Sequence, residues 1–259
     1  MARSATSITI AVWRALFLRE ALTRILSRRA AWFWLIAEPV FHISYLMFLY
    51  TVIRVRTIGG IETAVWIMIG LLAFLMFRRT GNQVMSAIES NQSLFAYRQV
   101  KPIDTLLVRG ALEGFLMIIS GFVLLCCAAL WGYDVLPDDP LAVIVALFGL
   151  WLFGMGFGLI TSVAIELLPE LGKVLKMVTR PLYFISGVLH PIAAVPLPYR
   201  EWLLWNPLVH GLEATRLGFA PRYHAVEGMS ISYLYGCALV TVFMGLALHR
   251  HFAVRIVTR

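Results

Sequence analysis

Residues able to do chemistry are few in this chain, and they are unevenly placed. The 259 residues include 22 Lys and Arg, 14 Asp and Glu and 6 His. The most polar long stretch is 88–104, which mixes charge, amides, two aromatics and a proline between two apolar blocks. That mixture suits a docking surface. Phe95 and Tyr97 are aromatics of the kind that fill pockets on a partner. Asn91 and Leu94 belong to the same stretch, and Arg98, Lys101 and Asp104 supply polar contacts at its rim. The segment therefore reads as a short docking helix, and the rest of the chain as the machine it drives.

Other chemistry is missing. The only Gly-Lys pair, Gly172-Lys173, has Leu167 where a phosphate-binding loop needs its first glycine and Val174 where it needs Ser or Thr. No ATP site of that kind is expected. The histidines are scattered, and no acyltransfer or Asp-x-Asp metal motif occurs, so catalysis is not expected. Cys126, Cys127 and Cys237 lie in apolar blocks and read as small buried side chains, without disulfide or metal spacing. No cofactor or metal is expected on this chain.

The elements that must position the docking stretch are membrane helices. Apolar residues make up 60% and charged residues 14%, with a mean hydropathy of +0.82. A span needs ~20 apolar residues, and the length holds about six with short loops. The fold class is an all-α polytopic membrane protein, one domain over 31–259 preceded by an amphipathic helix within 1–30. In that helix, over 6–29, Ile8, Ala11, Ala15, Leu18, Leu22 and Ile25 recur at helical spacing, opposite Arg14, Glu20, Arg24 and Arg28. It lies in the interface with its arginines on phosphates, or packs on its own transmembrane domain. A cleavable signal is not expected, because this stretch stands where a short apolar core is required.

Span 1 covers about 31–53 and contains Glu38-Pro39 and His42, with Glu38 and His42 on one face. Proline there frees a carbonyl and kinks the helix. The pair is read as a kink with polar interhelical contacts, or as a gating or substrate element. Span 2, 63–77, is short at ~15 residues and must continue through Arg78-Arg79. Span 3 covers 106–131, with Arg109 and Glu113 placed for an i, i+4 contact near the headgroups. Span 4, 141–165, carries Gly149, Gly154, Gly156 and Gly158, which let helices approach closely. Span 5 starts near Pro181 and is broken by Gly187, Pro191, Pro196 and Pro198. The region 190–226 then suggests a re-entrant hairpin, tolerated only against protein or a polar cavity. Span 6 is 231–248, followed by a basic tail.

The charge pattern orients these spans. With the N-terminus inside, 17 of the 22 basic residues face the cytoplasm, leaving Arg54, Arg56, Arg200, Arg216 and Arg222 outside. Both termini are then cytoplasmic. The net charge of +8 is juxtamembrane, which argues against a nucleic-acid partner.

Taken together, several motifs resemble the permease subunit of type-2 ABC exporters. They are Glu38-Pro39, the stretch from Asn91 to Asp104, Pro169-Glu170 with Lys173, and Trp205-Asn206-Pro207-Leu208-Val209-His210 with Glu213 and Arg216. Within that family the chain is most similar to capsular-polysaccharide exporters of Gram-negative bacteria, and the resemblance covers nearly its whole length. It implies a homodimer bound to two copies of a separate ATPase that holds ATP and Mg. It implies export of a lipid-linked acidic polysaccharide across the inner membrane to periplasmic and outer-membrane components. The 88–104 segment would be the coupling helix, and Glu38, Pro39, Asn206, Pro207, His210, Glu213 and Arg216 would serve gating or structure. Sugars would slide over weak aromatic sites, for which Trp32, Trp34, Tyr45, Tyr50, Phe74 and Tyr183 are candidates, each also readable as lipid-facing belt or ordinary core. Arg54, Arg56 and Arg222 go against the topology bias and are read as meeting an anionic saccharide from outside, or as exposed solvated charges. Two rivals stay open: an exporter of O-antigen or teichoic-acid polymer, and a membrane-embedded lipid- or glycan-modifying enzyme.

Overall fold

The structure is a computed structural model that describes residues 5–26, 31–53, 57–96, 99–253 and 255. It is helical apart from one small hairpin. In order come α1 (Ala5–Leu26), α2 (Ala31–Ile53), β1 (Thr57–Ile58), β2 (Ile61–Glu62), α3 (Thr63–Met85) and α4 (Ala87–Asn91). A 3-10 turn over Gln92–Ala96 leads on to α5 (Pro102–Leu130), α6 (Pro140–Leu167) and α7 (Leu171–Ile185). A second 3-10 turn, Ile192–Ala194, precedes α8 (Tyr199–Leu203), α9 (Pro207–Phe219) and α10 (Ile231–His251).

Four described helices, α3, α5, α6 and α10, are long and apolar enough to cross a membrane. The short span 2 does continue through Arg78 and Arg79, as α3 to Met85. The helix expected to start at Pro181 instead begins at Leu171 and runs through Pro181 to Ile185. Proline is accommodated there because α7 ends within the next two turns, so little of the helix depends on the missing amide.

Local chemistry sets the ends. Asp139 caps α6, its carboxylate accepting from the Ala142 amide at 3.0 Å, with Pro140 at the first helical position. The strands were not anticipated. β1 pairs antiparallel with β2, Thr57 opposite Glu62 and Ile58 opposite Ile61. Gly59 and Gly60 adopt φ of 58° and 89°, the positive values that a two-residue hairpin turn requires.

The core is built around α3, whose buried residues include Trp66, Ile67, Met68, Ile69, Leu71, Phe74 and Phe77. Helix α6 is the second axis, packing along α10 and α3 and against α9. The glycine reading holds in detail. A Cβ on Gly154 would stand 2.7 Å from the Phe77 carbonyl oxygen, and one on Gly158 would stand 2.5 Å from Val84 Cβ. Gly156 meets Thr241 of α10, and Gly149 meets Leu234. Lipid offers no hydrophobic drive between helices, so close backbone approach supplies the dispersion contacts.

Candidate functional site

The polar stretch forms a hairpin joining α3 to α5. Helix α3 stops at Ser86, α4 and the 3-10 turn follow, and α5 restarts at Pro102. The restart is capped: the Asp104 carboxylate accepts from the Lys101 amide at 3.1 Å. Its other oxygen accepts from Trp13 Nε1 on α1 at 2.8 Å. Asn91 is buried, its Nδ2 donating to the Ala87 carbonyl and its Oδ1 accepting from Arg19 Nη1. Phe95 packs inward with Ile88, Leu106, Met155, Leu159 and Val163. Asn91, Phe95 and Asp104 therefore face inward, which corrects their reading as surface contacts. They hold the hairpin in shape. Leu94 is half-buried, and the exposed side chains are Glu89, Ser90, Gln92, Ser93, Gln99 and Lys101. Tyr97 and Arg98 lie outside the described residues.

Beneath the hairpin, α1, α3 and α5 share a network of five charges. Glu113 is fully buried and accepts from Arg24 Nη1 and Arg79 Nε, each at 2.7 Å. Glu20 pairs with Arg109 at 2.8 Å and with Arg24 at 3.3 Å. Arg109 also donates to the Ser86 carbonyl, at the break between α3 and α4, and Arg24 donates to Gln83 Oε1. The expected Arg109–Glu113 contact does not form. Both side chains reach other helices instead, because each gains a closer opposite charge there. Within this network, Arg24 and Glu20, which the spacing placed on one polar face, pair along their own helix.

Of the two readings of α1, that network matches the helix packed on the rest of its own chain. Arg19 and Arg24 bind protein groups, while Ile8, Ile10, Leu18 and Leu22 are exposed on the outer side. The helix packs on α5 and α2. Glu20 and Arg24 face the protein and the apolar stripe faces outward, the arrangement suited to a helix at a lipid boundary.

A second buried cluster lies at the other end of α3. Arg216 Nη1 donates to Glu213 Oε1 at 3.0 Å, and Nη2 donates to the Gly187 and Val188 carbonyls. Its guanidinium lies 3.6 Å from the Trp66 ring centre. Tyr223 and the Val226 amide donate to the Glu213 carboxylate. Burial pushes the Tyr223 hydroxyl up to about 12, and the Glu213 charge reinforces the shift. Arg216 is thus an internal tie, fully buried against Glu213 and Trp66. Gly187, with φ of 73°, turns the chain so that its carbonyl meets the guanidinium.

The neighbouring motif residues serve the same lock. Asn206 caps α9, accepting from the Leu208 amide and donating to Ser186 Oγ, with Pro207 at the first position. His210 Nδ1 accepts from the Ser230 amide, so Nε2 carries the proton and donates to the Leu204 carbonyl at 2.7 Å.

Between α2 and α3 lies a polar cavity of about 280 Å³. Glu38, Pro39 and His42 form one wall, and Leu75, Arg78, Arg79, Asn82 and Gln83 the other. The proposed channel aromatics fare variously. Trp34 and Tyr45 are exposed, and Tyr50 and Tyr183 are half-buried. Phe74 is fully buried in the core, edge-to-face with Tyr183, so it lines no channel in this conformation. Arg222 is exposed; Arg54, Arg56 and the Trp32 side chain lie outside what is described.

Sequence reasoning missed Trp13, Arg24, Arg79, Trp66 and Tyr223. Arg79 and Glu113 did carry a signal, since charges within apolar helices demand partners. Their partners lie far off in sequence, and only folding brings them together.

The chain is 38% identical over 250 residues to the polysialic acid transport protein KpsM of Escherichia coli, covering 96% of each. It is 26% identical over 242 residues to the capsule polysaccharide export inner-membrane protein BexB of Haemophilus influenzae, covering 93% of this chain and 91% of that one. The corresponding protein CtrC of Neisseria meningitidis serogroup A is 27% identical over 241 residues, covering 92% and 90%. The ABC-2 type transporter family model matches residues 11–220, spanning the hairpin, both charge clusters and the cavity, and the chain belongs to that family.

Proposed function

We propose that this chain is the membrane subunit of an ABC exporter that moves a lipid-linked acidic capsular polysaccharide across the inner membrane. Two copies form the pathway, and two cytoplasmic ATPases dock on the hairpin of 88–104 and carry the ATP and Mg. Both termini are cytoplasmic. Six spans cross the bilayer: α2, α3, α5, α6, the α7 segment and α10, with α8 and α9 as short re-entrant helices on the periplasmic side. Periplasmic and outer-membrane components receive the cargo.

The observation that carries this reading is the bracing of the hairpin. It exposes a row of polar side chains while Asn91, Phe95 and Asp104 fasten it from behind to α1 and the core. A loop that merely joined two spans would need no such fastening. A rigid handle delivers a push as a rigid-body movement, which α3 and α5 receive directly. The near full-length similarity to capsule export proteins supports the choice of cargo.

The test is complementation of a capsule-producing bacterium deleted for its own permease. Restored surface polysaccharide, lost again on Lys101→Glu with loss of ATPase co-purification, is the expected outcome. Unchanged ATPase binding by Lys101→Glu together with Glu89→Lys removes the hairpin from the docking role.

A further inference from the structure

The cavity between α2 and α3 holds polar groups that make no hydrogen bond or ion pair among the described residues. Among the described residues, Arg78 makes no hydrogen bond or ion pair, although Arg79 beside it is paired with Glu113. Asn82 Oδ1 is buried without a donor. Glu38 and His42, across the cavity, make no hydrogen bond among the described residues, and no ion pair joins Glu38 to Arg78. Buried polar groups are ordinarily satisfied, so the orphaned Asn82 oxygen, facing an open volume beside the half-buried Arg78 and the exposed Glu38 and His42, marks a place for a ligand. Arg78 and Asn82 are four apart on α3, as Glu38 and His42 are on α2, so each wall presents one continuous face.

Resting on the export reading above, we propose that this cavity binds one acidic sugar residue of the cargo. The carboxylate is held by the Arg78 guanidinium, and ring hydroxyls are shared between Glu38 and Asn82. A guanidinium fork matches a carboxylate with two parallel hydrogen bonds. Asn82 supplies both a donor and the orphaned acceptor, which a vicinal hydroxyl satisfies. Glu38 accepts from hydroxyls and repels a doubly charged phosphate, so a carboxylate sugar fits better than a lipid phosphate. The volume, about 280 Å³, falls just under the ~300 Å³ at which pockets for drug-sized ligands begin. It accepts one unit of a polymer and not a folded chain.

The position suits a loading site. Arg78 is ~12 Å along α3 from the break at Ser86. The neighbouring wall residues Arg79 and Gln83 belong to the charge network beneath the hairpin. Tyr45, exposed one helical turn beyond His42, continues the same face of α2 toward the other end of the bundle.

The test uses the full chain co-purified with its ATPase in lipid nanodiscs. It is titrated with oligosialate or oligogalacturonate, and with uncharged maltohexaose, at several phosphatidylglycerol contents. Either acidic oligomer is expected to bind and maltohexaose not. Arg78→Gln weakens binding by about tenfold or more, Glu38→Gln and Asn82→Ala weaken it less, and Arg250→Gln, on an exposed side chain at the end of α10, leaves it unchanged. Melting temperature and ATPase co-purification identify any variant that misfolds. The cavity assignment is overturned if wild type binds neither acidic oligomer, or binds maltohexaose equally. It is also overturned if Arg78→Gln binds like wild type, or if phosphatidylglycerol alone displaces the oligomer. Failure of the export reading is separate: it shows as surface polysaccharide that does not depend on this chain at all.

Discussion

Glu113→Gln is the substitution on which the buried network stands or falls. The carboxylate is fully buried and bound by Arg24 and Arg79, each at 2.7 Å. With Arg24, Arg79 and Arg109 against Glu20 and Glu113, the cluster carries one excess positive charge. Glutamine keeps the shape and raises the excess to two, leaving Arg79 with no carboxylate partner. Breaking a buried pair by removing one partner costs about 3–5 kcal/mol. For a protein of this size each kcal/mol moves the melting temperature by roughly 2–4 °C. The expected loss is therefore about 10 °C, read by thermal unfolding of the detergent-solubilised chain. Adding Arg79→Met should recover much of it, because the stranded charge is then gone. A Glu113→Gln protein melting within ~2 °C of wild type, or a double variant no more stable than the single, refutes the reasoning.

Other substitutions separate packing from docking. Phe95→Ala, which removes a ring packed on Ile88, Leu106 and Val163, should cost about 3–5 kcal/mol of stability. Lys101→Glu, on an exposed side chain, should leave the melting temperature within ~2 °C and lose the ATPase. Gly154→Val drives a side chain onto the Phe77 carbonyl oxygen and should destabilise by about 1–3 kcal/mol, seen in the same melting assay. Tyr223 keeps its proton to about 12 when folded against an ordinary value near 10, so the native state binds more protons between those limits. Stability should fall as pH rises from 10 to 12, and Tyr223→Phe should remove that fall while lowering stability at neutral pH.

Much of the architecture is legible in the residues alone. Apolar runs of membrane length are their own signal, because every backbone polar group in lipid must be satisfied within a helix. The glycines of α6 announce close packing. The continuation of α3 past Arg79 follows from the minimum length of a span.

The direction in which side chains point is a different matter. Asn91, Phe95 and Asp104 stand in a polar loop where every polar or aromatic residue reads as available to a partner. Asn91 and Asp104 face inward because Arg19 and Trp13 come from a helix some seventy and ninety positions earlier, and Phe95 because Leu106 of α5 and Met155, Leu159 and Val163 of α6 form its apolar cluster. The pairing of Arg109 and Glu113 fails for the same reason. An i, i+4 contact in water is weak, at about 0.2–0.5 kcal/mol, and any closer buried charge outcompetes it. Arg216 is one basic residue among many until Glu213, Tyr223 and Trp66 are seen around it. Composition and period thus determine that the chain crosses a membrane and where its helices run. Which charges are partnered, and which, like Arg78, are left free to hold a ligand, is decided only by tertiary structure. Electrostatic pairing depends on distances of a few ångströms between segments, and no linear spacing encodes those.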